Sequence, residues 1–272
     1  MTEKAGGGGF TEEDEHIAIL LAQQTAAAVE NARLHEEAAR LLEEVQQLQR
    51  TRERFFAMVN HELRNALAGT YGWAEMLVRK KDPATVPQAA FEVLESAEGA
   101  IGLVNDLLDL SRLDENRLRP DLRDFSGALV ARNAMARVTP QAAARSIKLV
   151  IETAPDLPSC RSDIRRVEQI LINLLANAIR HSPTGGQVTL VLTLDSDHLT
   201  FSIRDQGPGV PEPERERIFD IYQTSADGAG VGLGLPLSRR LARLLGGRLY
   251  AASPASPGGE FVLELPVDAR PK

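Results

Sequence analysis

Aromatic side chains are scarce in this sequence. Only 4% of its 272 residues are Phe, Tyr or Trp, although 43% are hydrophobic, so Ala and Leu supply most of the apolar surface. That bias suits helices packed on helices, with room for a smaller mixed domain. A single cysteine, Cys160, excludes an internal disulfide and a cysteine metal cluster. No apolar run approaches the roughly 18–20 residues needed to cross a bilayer. The opening "MTEKAGGGGFTEEDE" lacks the charged-then-apolar layout of a signal peptide. A cytoplasmic chain with no membrane span is therefore the expectation. Excess positive charge is missing too: the net charge of -7 argues against a dedicated nucleic-acid binder. The length suffices for about two domains.

What is present first is heptad-like periodicity. Thr11, followed by Glu13 and Asp14, reads as a helix start. From Leu34 the apolar positions run Leu34, Ala38, Leu41, Val45, Leu48, Phe55 and Val59, interrupted by Arg52. Steps of four and three are those of a coiled-coil seam. A helix continuous from about residue 16 to 80 would be about 95 Å long at about 1.5 Å per residue. A partner chain could bury such a seam, so parallel dimerisation is expected; a solvated helix between domains is the alternative. Beyond Val59 the apolar row changes step, through Leu63, Leu67, Thr70, Ala74 and Leu77, and leaves His61 of "NHELRNAL" beside it. "KKDPATVP" breaks the helix at Pro83 and Pro87. A second stripe follows with Leu94, Ala97, Ile101, Val104, Leu108 and Ser111. Two amphipathic helices joined by a short loop make a hairpin, and two hairpins make a dimeric four-helix bundle.

After "DENRLRPD" the pattern changes. "IKLVIET", "QVTLVLTL", "HLTFSIRD", "GRLYAAS" and "EFVLELPV" read as strands, alternating with helical segments near 126–143, 163–181 and 235–245. This mixture suggests an α/β sandwich with helices on one face of a sheet.

Three stretches of this second part carry chemistry. In "DIRRVEQILINLLANAIRHSPTGG", Val167, Ile170, Leu171, Leu174 and Ala178 form an apolar face, while Asn173, Asn177, Arg180 and His181 follow another line. Asparagine is a poor interior helix residue. Its amide oxygen is a hard ligand that suits Mg²⁺, a cation that completes its shell with water and phosphate. Arg180 could meet phosphate and His181 a sugar or base; a merely solvated polar face is the alternative. In "IRDQGPGVPE", Asp205 ends a strand and could accept from an exocyclic amine such as that of adenine, with Gly207 and Gly209 allowing close backbone approach. An ordinary Asp-Gly-Pro turn would look the same. In "DGAGVGLGLPLSRRLARLLGG", Gly228, Gly230, Gly232 and Gly234 feed a helix N-terminus, a natural phosphate site. No Gly-Lys-Ser/Thr follows, so it is not a Walker loop; a flexible hinge is the other reading.

"NHELRNAL" followed by these three stretches resembles the sensor histidine kinases of two-component systems: a dimerisation and histidine-phosphotransfer hairpin, then an ATP-binding domain of the gyrase, Hsp90, kinase and MutL class. The resemblance covers about residues 50–267. "FTEEDEHIAILLAQQTAAAVENARL" looks like the end of a GAF sensor domain running into a signalling helix. The implied plan is a tail at 1–15, read as a remnant of a sensor domain whose sensor proper would be absent here. A signalling coiled-coil helix at 16–54, the hairpin at 55–118 and a catalytic ATP-binding domain at 119–272 follow.

The resemblance implies a homodimer that uses ATP and Mg²⁺, autophosphorylates, and passes phosphate to an aspartate in the receiver domain of a response regulator, with phosphatase activity toward that regulator also implied. His61 would be the phosphoacceptor, Glu62 the acid on its other ring nitrogen, and Asn65 the residue that orients water for dephosphorylation. Asn65-Ala66 stands where the family more often has Thr-Pro, which removes a proline kink from any account of signalling. Asn177 would bind Mg²⁺, Asn173 a neighbouring metal or phosphate, Arg180 and His181 nucleotide, and Asp205 adenine. The glycines, including Gly207, Gly209, Gly230, Gly232 and Gly234, would edge the nucleotide site and its lid. Phe219 would precede that lid. Ten residues separate Phe219 from Gly230, none of them Lys or Arg, so slow or weakly ATP-retaining activity is expected. Two rivals stand beside this reading: a gyrase- or Hsp90-like ATP hydrolase, and a non-catalytic or phosphatase-biased signalling dimer. The hydrolases use a glutamate base where this chain has Asn173, and an amide cannot take that role.

Overall fold

The computed structural model describes residues 11–80, 85–115, 117–220, 232–252 and 258–268. The glycine-rich stretch around Gly228 and Gly230, and with it the lid, lies outside the described residues. Two compact units divide at Phe56, Met1–Phe56 and Ala57–Lys272.

The first unit is the beginning of helix α1, which spans Glu12–Lys80. Its start is a reciprocal cap: Asp14 donates from its backbone to Thr11 Oγ1 (3.3 Å), and the Thr11 backbone donates to Asp14 Oδ2 (2.9 Å), satisfying donors that a helix start leaves orphaned. Leu34, Leu41, Val45 and Leu48 of the expected seam are each more than half exposed.

In the second unit, the rest of α1 pairs with α2 (Val86–Asp114), which has Pro87 in its first turn, where a missing N–H costs nothing. Val59, Ala89 and Leu110 are buried. A Cβ on Gly69 would stand 3.1 Å from Ser96 Oγ, so the antiparallel helices are in register at these two residues.

A short antiparallel ribbon of β1 (Arg123–Ser126) and β3 (Ser159–Ser162) follows. The main sheet contains β2 (Lys148–Thr153), β4 (Gln187–Asp195), β5 (His198–Arg204), β6 (Arg248–Ala251) and β7 (Glu260–Pro266) in the order β2-β4-β5-β7-β6, with only β2–β4 parallel. Helices α3 (Gly127–Ala144), α4 (Ile164–His181) and α5 (Gly234–Leu244) supply the second layer. Alternate residues of the sheet form the core: Val188, Leu190 and Leu192 of β4 and Leu199, Phe201 and Ile203 of β5 are fully buried. Register sets Leu192 opposite Phe201 and Phe201 opposite Leu263. Each such side chain contributes about 1.5–3 kcal/mol of burial. Strands and helices fall within a residue or so of the expected positions; β1, β3 and two 3₁₀ turns, Glu212–Glu214 and Arg217–Phe219, are additional.

Within this unit the helical layer also meets the hairpin. Arg166 of α4 forks onto Asp109 of α2, Nη1 to Oδ2 and Nη2 to Oδ1 (3.0 Å for the latter). Gln169 Nε2 donates to Asp106 Oδ1 (3.3 Å) and to Asp109 Oδ2 (3.2 Å). Arg240 of α5 pairs with Asp114.

Candidate active site

His61 lies on the exposed side of α1. Its Nδ1 stands 3.3 Å from Glu62 Oε1 and 3.1 Å from the Asn65 side-chain amide. One nitrogen can satisfy both only as N–H donor, to the carboxylate and to the amide oxygen once the Asn65 amide is turned, since O and N of an amide are interchangeable in placement. That tautomer puts the lone pair on Nε2, and the imidazole side chain is 67% exposed. The helix itself sets this grouping, because residues one turn apart share a face.

The second constellation surrounds the polar edge of α4. Asp163 caps the helix, its Oδ1 accepting from the Arg166 backbone at 3.2 Å and its Oδ2 from the Asp121 backbone at 3.0 Å. Val167, Ile170, Leu171, Leu174, Leu175, Ala178 and Ile179 are all buried. The opposite stripe then presents Asn173, Asn177 and Arg180. Arg180 Nη2 donates to Asn177 Oδ1 at 2.7 Å. Asn173 Nδ2 donates to the buried Ser238 Oγ of α5 at 3.0 Å. A Cβ on Gly234 would lie 2.0 Å from Asn173 Oδ1, so only glycine lets the first turn of α5 come this close. Gly232 lies just before that turn.

Asp205 follows β5 and is buried. Its Oδ1 accepts from the backbone N–H groups of Gly207 (2.7 Å) and Gly259 (3.2 Å). Both donors fall on Oδ1. Oδ2 remains an acceptor, and a Cβ on Gly259 would come within 2.4 Å of it. His181 closes the far side of this turn, with its carbonyl oxygen 2.6 Å from where a Gly207 Cβ would stand. Gly209 sits in the same turn with φ 73°. Phe219 is buried edge-on to Phe261 (6.3 Å), with the Arg239 guanidinium 4.8 Å from its ring centre, a cation–π arrangement.

Residues 51–116 match the His Kinase A (phospho-acceptor) domain, and residues 162–269 match the Histidine kinase-, DNA gyrase B-, and HSP90-like ATPase family. The chain belongs to the sensor histidine kinases of two-component systems. It is 28% identical over 260 residues to the sensor histidine kinase RcsC of Escherichia coli, covering 93% of this chain and 27% of that protein; it thus spans about a quarter of that relative's length. Among solved structures it is similar to full-length ShkA in complex with AMPPNP (TM-score 0.61, 24% identity, 81% of this chain and 47% of that one). It is also similar to the histidine kinase ThkA in complex with the response regulator protein TrrA (TM-score 0.53, 21% identity, 82% and 66%). Both likenesses speak to the fold.

Three features of this histidine kinase went unnoticed in the sequence. Gly259 donates to Asp205; its signal was "PGGE" immediately before a strand. Ser238 holds Asn173, and serine four residues after Gly234 gave no hint of that. Asp106 and Asp109 of α2, which meet Gln169 and Arg166, carried no signal in the local sequence pattern.

Proposed function

We propose that the chain is an ATP-dependent protein histidine kinase in which His61 takes the γ-phosphoryl group of ATP and passes it to an aspartate of a response-regulator receiver domain. The observation that carries this is the exposed His61 ring with Nδ1 committed to Glu62, on the hairpin that precedes an ATP-type domain. Nε2 attacks phosphorus, the bond to the ADP oxygen breaks, and the ring's positive charge is relieved as the Nδ1 proton passes to Glu62. The protein's contribution is position and charge neutralisation. Asn65 Nδ2 or Oδ1, one turn from the phosphoacceptor, equips the same site to orient water when phosphate is removed from the regulator.

Asp205 Oδ2 is the acceptor for the adenine amine, and the turn at Gly207 and Gly209 brings backbone against the base. Gly232 and Gly234 edge the phosphates at the start of α5. Asn177 would hold Mg²⁺, because an amide oxygen with phosphate and water suits this hard cation. Bound there, the ion offsets phosphate charge. Arg180, whose Nη2 donates to Asn177 Oδ1, would meet phosphate beside it, and His181 would border the sugar.

Assembly is read as a homodimer. Leu67, Tyr71 and Val78 of α1 and Phe91, Leu94, Ile101, Val104 and Leu108 of α2 leave apolar stripes uncovered, as half of a four-helix bundle would. Residues 16–54 are read as a coiled coil that carries a sensor's signal, with the GAF-like stretch at its start, in the cytoplasm. Among the described residues no helix is long and apolar enough to cross a membrane.

The test is incubation with γ-labelled ATP and Mg²⁺. Acid-labile, base-stable label that disappears in His61→Gln is expected; label that survives the substitution would refute the assignment. Phosphate release without label would favour a hydrolase.

A further inference from the structure

Arg166, Gln169, Asn173, Asn177 and Arg180 are spaced three, four, four and three apart, so they share one face of α4. The first two grip α2, and the last three line the nucleotide edge. The direction of the grip is readable: Arg166 meets Asp109, and Gln169, three residues on, reaches back to Asp106. Helix α4 therefore runs antiparallel to α2. In the hairpin, register at Gly69 and Ser96 places His61 level with Val104, two residues short of Asp106. From Gln169 the stripe thus runs past the level of His61, and Asn173 is about 6 Å further along at about 1.5 Å per residue. The contact is built rather than incidental. The Arg166 side chain is 22% exposed and that of Asp109 9%, and the bidentate fork fixes angle as well as distance.

We propose that Asp109 and Arg166, bridged by Gln169 and flanked by Asp114 and Arg240, are positioning residues for phosphotransfer: they dock α4 on α2 so that the nucleotide stripe is held alongside the phosphoacceptor helix. This rests on the kinase reading above. The pair touches neither nucleotide nor imidazole; it acts by setting where one helix lies against another. A buried ion pair adds little net stability but is costly to break from one side, which suits a contact that sets geometry.

The test uses the full chain with Asp109→Arg, Arg166→Asp, the double exchange, and the milder Asp109→Asn. ATP affinity is measured by a fluorescent nucleotide, labelling rate at saturating Mg·ATP, and hydrogen exchange in α2 and α4. Each reversal should slow labelling about tenfold or more while ATP affinity stays within about twofold, and the exchange should restore most of the rate. Asp109→Asn should fall between wild type and reversal. Retained ATP binding shows that each variant's ATP-binding domain is folded. Single variants that label at the wild-type rate, or faster, would overturn the proposal; a faster rate would mean that the contact parks the domain instead. Failure of the double exchange to recover would also overturn it. Unchanged exchange protection in Asp109→Arg sinks the contact alone, whereas a wild type that takes no label sinks the kinase reading and the positioning role together.

Discussion

Helices α2 and α4 are both amphipathic and both carry side chains that matter to the site, yet they finish their packing differently. Helix α4 buries seven apolar residues on the sheet and α3 and α5, and leaves only a polar edge for ligand. Helix α2 buries just Ala89 and Leu110 among its apolar residues, with Leu94, Ile101, Val104 and Leu108 left largely uncovered. The first is complete in one chain; the second is half of something. A nucleotide site needs fixed walls, so its supporting helix is anchored by its own domain. As one half of the phosphoacceptor hairpin, α2 would, under the proposed function, meet the ATP-binding domain, a regulator and a second copy, and its surface would be divided among them.

The contrast can be broken most severely from the complete side. Leu174→Ala opens a cavity under α4 and should cost about 2–5 kcal/mol, read as a fall in the thermal midpoint of the ATP-binding domain with nucleotide binding lost in step. An unchanged midpoint would mean that the layer is less anchored than its burial implies. From the incomplete side, Ile101→Glu should raise the dimer dissociation constant by at least about tenfold, measured by sedimentation equilibrium, while ATP affinity per chain holds. Gly259→Ala should weaken ATP binding by about 1–2 kcal/mol, because the added carbon must displace the Asp205 carboxylate; titration with nucleotide checks it, and full affinity would show that Oδ2 is not the adenine acceptor.

The smallest effect concerns pH and sharpens the boundary between the two helices. Burial first, then the Asp109 carboxylate, pushes Asp106 up to about 6 against the hydrogen bond from Gln169 and the charge of Arg166. The docked arrangement therefore prefers protonated Asp106. Its contribution is complete below the ordinary carboxylate value of 3.8 and is lost as pH rises through about 6. Hydrogen-exchange protection where α2 meets α4 should fall slightly between about pH 4 and about pH 6, and Asp106→Asn should remove that slope while keeping the bond from Gln169.

The layout was legible where periodicity was strong. The apolar face of α4 announced a helix over 163–181, and alternation in "QVTLVLTL" and "HLTFSIRD" announced two half-buried strands. β1 and β3 were not legible, since each is four residues long and each buries at most two of them. Asn177 and Asp205 could be suspected from residue type in context. Gly259 could not, because its role depends on a backbone N–H meeting a carboxylate 54 positions away. Nor could Asp109 and Arg166, which are 57 apart, be paired from local pattern: both resemble ordinary charged residues on solvated helix faces.

The most direct test of the central claim is ³¹P NMR of the chain after reaction with Mg·ATP, beside His61→Gln. A single phosphohistidine signal of the Nε2 isomer, absent from the variant, is expected, because Glu62 holds the proton on Nδ1. An Nδ1 isomer, or a phosphoester signal that persists without His61, would contradict it.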